Sequence, residues 1–369
     1  MKIGIDTFGC DHARSGLGSY LLYFVANLPQ STEDQFELFG SELDRYTYSS
    51  DKEIDFVSVS VPDSLQYEKL WHYTCSKKFT NKRNYDLVLY PAVERILPIK
   101  FKTKSIAVVN SILSTQIESM DFFSKKLLKK GLNNIQVIVA ASKYIKDDLI
   151  ALGVDENKIT VIYNGIDHKL FYPALDIDSD NVEINPFSIK RPYFIYGSRL
   201  SGPDKKHIEL IKAFEQFKKN TGLPHRLVLA GSDGDYSNEI HKAVFKSDFT
   251  SDIFLTGYFP HESFPSLYSG ADACVFPSVN EGVGLPILEA MACGIPVLCS
   301  SKGALPEAGG DVPLYFDSDN VENITECLVK IVEDKQLRQS MVEKGLERAS
   351  KFSWDSTVEK TIEFSKKIV

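Results

Sequence analysis

Short apolar runs alternate with amphipathic stretches along the whole chain. In the first half the runs are residues 2–6, Phe36–Phe39, Phe56–Val61, Leu87–Tyr90, Ile106–Val109, Val137–Ala140 and Ile159–Ile162. Between them apolar positions recur at helical spacing, as in the stretch that follows Ser15 and runs to about Leu28. This alternation predicts βα units building a parallel, doubly wound sheet. Near Phe171 the pattern breaks, and residues 172–190 are rich in Asp, Asn, Ser and Pro, as an interdomain connection would be. A second series follows, with strands expected near 193–197, 227–230, 253–256, 273–276, 296–299 and 313–316. It closes in helices over roughly 320–333 and 335–350, then from Trp354 to Val369. The reading is α/β: two Rossmann-like domains, 1–171 and 191–352, joined by a linker at 172–190 and facing each other across a cleft. In such sheets ligands bind beyond the carboxyl ends of the strands.

One segment organises the second domain. The apolar run Ala273–Phe276 leads into Glu281-Gly282-Val283-Gly284-Leu285-Pro286-Ile287-Leu288-Glu289, and Gly294-Ile295-Pro296 follows. Pro286 suits the first helical position, where its missing N–H costs nothing, and Gly294 suits the left-handed residue that ends a helix. A two-glycine loop opening a helix offers free amides and the positive end of a dipole, which is an anion site. Carboxylates do not hold phosphates. Glu281 and Glu289, on either side of the loop, are therefore assigned to something else, and sugar hydroxyls are the natural candidates.

A second loop has complementary chemistry. Gly197-Ser198-Arg199-Leu200-Ser201-Gly202-Pro203-Asp204-Lys205-Lys206-His207 lies between a strand and the amphipathic stretch Ile208–Phe217. Arginine as a planar fork and lysine as a compact charge suit a diphosphate. Lys206 is left to the surface.

Composition narrows the class. The 369 residues are 43% apolar and 25% charged, a soluble globular balance too long for one ordinary core. A net charge of −8 argues against nucleic acid as the partner. The six cysteines form no CxxC pair and read as reduced core residues of a cytoplasmic protein. Residues 1–6 enter a strand directly, with no export segment, and no apolar run approaches a membrane span.

Other motifs are weaker. Gly16-Leu17-Gly18 fails the dinucleotide fingerprint because Leu21 stands where the third glycine belongs, although two glycines opening a helix still admit an anion or a sugar. The pairs Asp178/Asp180, Asp233/Asp235 and Asp317/Asp319 read as turn chemistry, and no metal is expected. The stretch Phe122–Lys130 predicts a basic amphipathic helix with 123, 127 and 128 on one face and Lys125, Lys126, Lys129 and Lys130 around the other. It fits a domain helix with a solvated basic face, or peripheral contact with an anionic membrane. No HExxH, GxSxG or histidine pair at i, i+4 is present.

These segments together resemble the family 4 glycosyltransferases of the GT-B fold, glycosyl transferases group 1. The resemblance runs through Gly16/Gly18, Val139–Leu149, Ile162-Tyr163-Asn164-Gly165-Ile166-Asp167, Ser198-Arg199 to Lys205, Leu229-Ala230-Gly231, Gly257-Tyr258, Leu267–Ala273 and the E-x7-E segment Glu281–Glu289. It implies a retaining, metal-independent transferase that uses a nucleotide sugar as donor substrate and needs no cofactor. Arg199 and Lys205 match the pair that holds the diphosphate. Glu281 matches the contact to donor-sugar hydroxyls, and Glu289 the contact to the ribose. The amides of Gly282, Val283, Gly284 and Leu285 would meet sugar and phosphate, with Ser198 beside them. Gly231 and Tyr258 would flank the base, Gly16 and Gly18 would close the donor site, and the final helix, 353–369, would cross back onto the first domain. Many relatives carry His-Asp where this chain has Asn110-Ser111, so the acceptor side falls to Asn110.

The implied function is hexosyl transfer from a GDP- or UDP-linked sugar, with mannose favoured, to a glycan or lipid-linked acceptor in polysaccharide biosynthesis. A GT-B epimerase or hydrolase would need acid/base side chains that the motifs do not place. A non-catalytic nucleotide-sugar binder would need only the donor half of the site.

Overall fold

In a computed structural model the protein is described over residues 1–29, 33–49, 54–174, 181–184 and 187–368. The chain divides into two compact units: residues 1–165 with 353–369, and residues 166–352.

The first unit holds seven strands: β1 (Lys2–Asp6), β2 (Gln35–Gly40), β3 (Asp55–Ser58), β4 (Leu87–Tyr90), β5 (Lys104–Val109), β6 (Val137–Ala140) and β7 (Ile159–Val161). All pair in parallel, in the order β3-β2-β1-β4-β5-β6-β7. Every residue of β4, and five of the six in β5, are buried, as expected of parallel strands covered on both faces. Chain order reverses between β1 and β4, so ligand-binding loops gather at their carboxyl ends.

The C-terminal helix Trp354–Ile368 belongs to this unit. Trp354 stacks on Tyr23 at 5.4 Å and meets Tyr20 edge-on at 5.5 Å. The chain crosses Gly165 so closely that a Cβ there would lie 2.1 Å from the Trp354 nitrogen. Only glycine fits at that crossing, which gives the Asn164-Gly165 motif a structural reason.

The second unit is built on β10 (Tyr193–Gly197), β11 (Arg226–Ala230), β12 (Ile253–Gly257), β13 (Ala273–Phe276), β14 (Val297–Ser300) and β15 (Leu314–Phe316), again all parallel. Their order is β12-β11-β10-β13-β14-β15, with the reversal between β10 and β13.

The connection differs from the expected free linker at 172–190. The second unit begins at Ile166, and both Ile166 and Phe171 are buried in its core. Within the linker range, β8 (Asn181–Ile184) and β9 (Phe187–Lys190) form an antiparallel pair. Val182 and Ile189 are buried in the same core, and a Cβ on Gly270 would meet the Val182 side chain at 2.2 Å. Alternating apolar residues within a polar stretch were enough to dock it. Asp178 and Asp180 lie outside the described residues.

The basic helix runs from Phe122 to Asn134. Its buried stripe is Leu128, Gly131 and Leu132, while Phe123 points outward, so the expected face of 123, 127 and 128 is corrected. The cause is Gly131, where a Cβ would lie 2.9 Å from the Leu97 side chain and from the Pro98 carbonyl oxygen. The helix seats on its glycine, and that sets its rotation. Of the six cysteines, Cys75 is exposed and the other five are buried.

Candidate active site

The reversal in the second sheet places the loops after β10 and β13 side by side. The Lys205 ammonium meets the Glu281 carboxylate there, Nζ to Oε1 2.6 Å. Each partner is held from behind. The Lys205 carbonyl accepts a hydrogen bond from the Tyr196 hydroxyl at 3.0 Å. The Val279 N–H donates to the Asp204 carbonyl at 3.0 Å, tying the two loops together. The Glu281 carbonyl accepts from the Ala304 N–H at 2.8 Å, and Gly303 sits so close that a Cβ would lie 2.8 Å from that carbonyl oxygen.

Arg199 is exposed and forms no ion pair among the described residues; its Nε reaches the Asp233 carbonyl at 3.4 Å. Its loop is fixed by Gly231, where a Cβ would stand 2.0 Å from the Ser198 carbonyl oxygen. His207 is buried against the Tyr196 ring at 4.7 Å. Burial, with help from the nearby Lys205 charge, pulls its pKa down to about 4, so at neutral pH it adds no charge. Lys206 pairs with Asp319 at 2.5 Å and Glu209 at 3.6 Å, and with its side chain 16% exposed against 22% for Lys205 it is a held residue rather than the solvated one expected.

The helix runs from Leu285 to Ala292, so Pro286 occupies its second position rather than its first. Gly284 is the capping residue at φ +80°, a conformation that favours glycine. At the far end Gly294 N–H donates to the Met291 carbonyl and Ile295 N–H to the Ala290 carbonyl, with Gly294 at φ +74°. This is the Schellman closure expected from the sequence. Gly282 and Val283 are half-buried on the approach to the helix.

Glu289, one turn into that helix, is 9% exposed and bonds His261 Nε2 at 3.1 Å. Burial lowers the pKa of His261, but the Glu289 carboxylate outweighs it and the net shift is upward. His261 follows the exposed Tyr258, in the loop after β12. The motifs did not single out His261; its signal was a histidine in the loop beyond a strand end, three residues after Tyr258.

In the first unit Gly18 is a packing residue, since a Cβ there would lie 2.2 Å from the Cys10 carbonyl oxygen; Gly16 faces open space. Just before them Asp11, His12 and Ala13 all take positive φ, at 56°, 49° and 62°. The turn is held by His12 Nδ1 on Asp44 at 2.7 Å, the Thr7 hydroxyl donating to Asp44 at 2.6 Å, and the Ala13 N–H donating to the Tyr48 hydroxyl at 2.8 Å.

Asn110, at the end of β5, accepts from the Asn164 amide at 2.9 Å. Its own N–H and that of Ser111 donate to one oxygen of Glu94, at 2.7 and 3.0 Å. Glu94 is 4% exposed, and burial raises its pKa to about 7 against the hydrogen bonds that favour its charged form. A carboxyl in the apolar stretch after β4 was the signal for this residue, and sequence reasoning passed over it.

Two family profiles match the chain. Glycosyltransferase Family 4 covers residues 15–170, and Glycosyl transferases group 1 covers residues 179–348. The chain is a family 4 glycosyltransferase. Among curated relatives, this glycosyltransferase is 28% identical to the O-antigen chain mannosyltransferase B of Escherichia coli over 65% of its own length and 63% of the relative's. A D-inositol 3-phosphate glycosyltransferase of Corynebacterium jeikeium is 29% identical over 60% and 55%. Each match therefore spans less than two thirds of the relative. Among solved structures, Anabaena HepE in complex with UDP and glucose superposes with a TM-score of 0.75 at 19% identity, covering 100% of both chains. The sucrose-phosphate synthase of Thermosynechococcus elongatus gives 0.74 at 19%, over 100% of this chain and 98% of that one. Likeness at that identity speaks for the fold, which is GT-B. No helix among the described residues is long and apolar enough to cross a membrane.

Proposed function

We propose that this glycosyltransferase moves a hexosyl group from a nucleoside-diphosphate sugar to a hydroxyl of a glycan or lipid-linked glycan, with retention at the anomeric carbon. The reading rests on one observation: the Lys205–Glu281 contact, which puts a cation suited to a diphosphate and a carboxylate suited to sugar hydroxyls together at a strand-order reversal. As the glycosidic bond to the donor phosphate breaks, positive charge grows on the anomeric carbon and negative charge on the leaving phosphate. Lys205, Arg199 and the amides before the helix at Leu285 face the negative end, where preorganised charge acts most strongly. That positive charge is supplied by the chain itself, so the reading calls for no metal. Glu281 and Glu289 are binding groups, for sugar and ribose hydroxyls, and no protein nucleophile is required.

The structures of HepE with UDP, glucose and UDP-glucose support a nucleotide-sugar donor. The mannosyltransferase relative supports mannose as the hexose. A melting-temperature screen against UDP, GDP and ADP sugars identifies the base, because a ligand bound by the native state raises the transition. Product analysis then separates a new glycoside from free sugar or an epimer. Wild-type turnover by a folded Arg199→Ala/Glu281→Ala double variant would sink the assignment.

A further inference from the structure

The helix Phe122–Asn134 has an outward face that the donor site does not use. With Leu128, Gly131 and Leu132 turned inward, the opposite stripe carries Phe122, Lys126, Lys129 and Lys130, with Phe123 alongside. Phe122 is 83% and Phe123 66% exposed. Two adjacent, nearly bare phenylalanines are a concentrated apolar surface rather than the scattered exposure that proteins tolerate. Behind them none of Lys125, Lys126, Lys129 and Lys130 forms an ion pair among the described residues.

On the helix Leu65–Thr74 of the same unit, Leu65, Tyr67 and Leu70 are also exposed. Tyr73, on that helix, lies near enough to Asp121 that the aspartate charge adds to burial in raising its phenol pKa. Asp121 itself caps the basic helix by accepting from the N–H groups of Phe123 and Ser124, which fixes the start of the helix at the two phenylalanines.

We propose that this face seats the protein on an anionic lipid surface, with Phe122 and Phe123 inserted among the acyl chain ends and Lys126, Lys129 and Lys130 over the headgroups. Charge decides the occupant. The chain carries a net −8, so an anionic bilayer repels the protein as a whole and attracts only a face where lysines gather. A helix with aromatic residues at one end and lysines along the outer stripe has the layout of an element lying in the interface plane. This inference stands apart from the donor reading, since it uses none of the donor-site residues.

The test is flotation of the full chain with vesicles of phosphatidylcholine alone or containing about a third phosphatidylglycerol. The wild type is expected to float with the anionic vesicles at low salt, to stay behind with the neutral ones, and to be released as salt is raised to roughly 0.5 M. Phe122→Ser/Phe123→Ser is expected to lose binding. Lys126→Glu/Lys129→Glu is expected to lose more than the roughly fivefold per lysine that neutralisation alone would remove. Leu43→Ser, at an exposed leucine between Glu42 and Asp44, is the control and should bind as the wild type does. Unchanged melting temperatures show that the variants fold. Failure of the wild type to float, equal binding to both vesicles, or retention by either double variant overturns the proposal. So does a change of molecular mass in the variants without lipid, which would make the face a protein contact.

Discussion

Lys205 Nζ and Glu281 Oε1 stand 2.6 Å apart, joining loops separated by 76 positions in the chain. Each is the other's ion-pair partner, and both side chains keep about a fifth of their surface exposed, at 22% and 17%. The ion pair therefore fixes the lysine at the strand-order reversal without burying it beyond a ligand's reach.

Lys205→Ala and Glu281→Ala are each expected to lower kcat by ~10²- to 10³-fold, the range for losing one preorganised electrostatic contact. The stability cost should stay within ~1 kcal/mol, because partly exposed ion pairs contribute little. In the double variant the losses should fall short of the product of the single effects, since the two groups act as a unit. Steady-state kinetics and thermal melts of the three variants check this; full multiplicativity would show that the contact has no functional meaning.

His261 and Glu289 predict a pH dependence of stability. The imidazole sits above its ordinary 6.5 because the carboxylate outweighs burial. A histidine raised on folding stabilises the fold fully below its unfolded pKa and loses that contribution as pH rises through the folded value. Melting curves of wild type and His261→Gln between about pH 5.5 and 8.5 should diverge at the acid end and converge at the alkaline end.

Glu94 predicts a dependence of the same sign from a different cause, burial of a carboxyl rather than pairing of an imidazole. Its pKa rises from 4.5 to about 7 on folding, so the native state binds more protons than the unfolded chain and stability falls with pH across that window. Glu94→Gln keeps an oxygen for the N–H groups of Asn110 and Ser111 and removes the buried charge. It should gain little below pH ~4.5 and on the order of 3 kcal/mol above pH ~7. Denaturant titrations of wild type and variant at two pH values measure it; an advantage over the wild type no larger at high pH than at low would refute the assignment.

Gly231→Ala should separate fold from function. Its Cβ would meet the Ser198 carbonyl oxygen at 2.0 Å, so the loop bearing Arg199 must move. Overpacking of this kind typically costs 1–3 kcal/mol, about what a domain of this size survives. Donor affinity should fall with it. A melting-temperature gain from nucleotide sugar equal to that of the wild type would show that the loop tolerates the displacement.

The strands were legible because parallel strands buried on both faces are written as unbroken apolar runs, and all thirteen expected runs became strands β1–β7 and β10–β15. The helix at Leu285–Ala292 was legible because Gly284 and Gly294 are needed at its ends by backbone geometry, which is local. The linker and the basic helix were misread for the same reason as each other. Val182, Ile189 and Gly131 find their partners, Gly270 and Leu97–Pro98, on other elements. Their own neighbourhoods do not announce which element they will meet.

The sequence by itself determined the periodicities, the caps and the two loops of opposite charge after Gly197 and Phe276, since these depend only on a residue and its near neighbours along the chain. Only the tertiary structure decided that Lys205 meets Glu281, that His261 answers Glu289, and that a buried Glu94 underpins Asn110. Those pairs arise where strand order reverses or loops from distant strands converge. Their energies come from burial and proximity across the sheet, quantities that no local stretch of sequence contains.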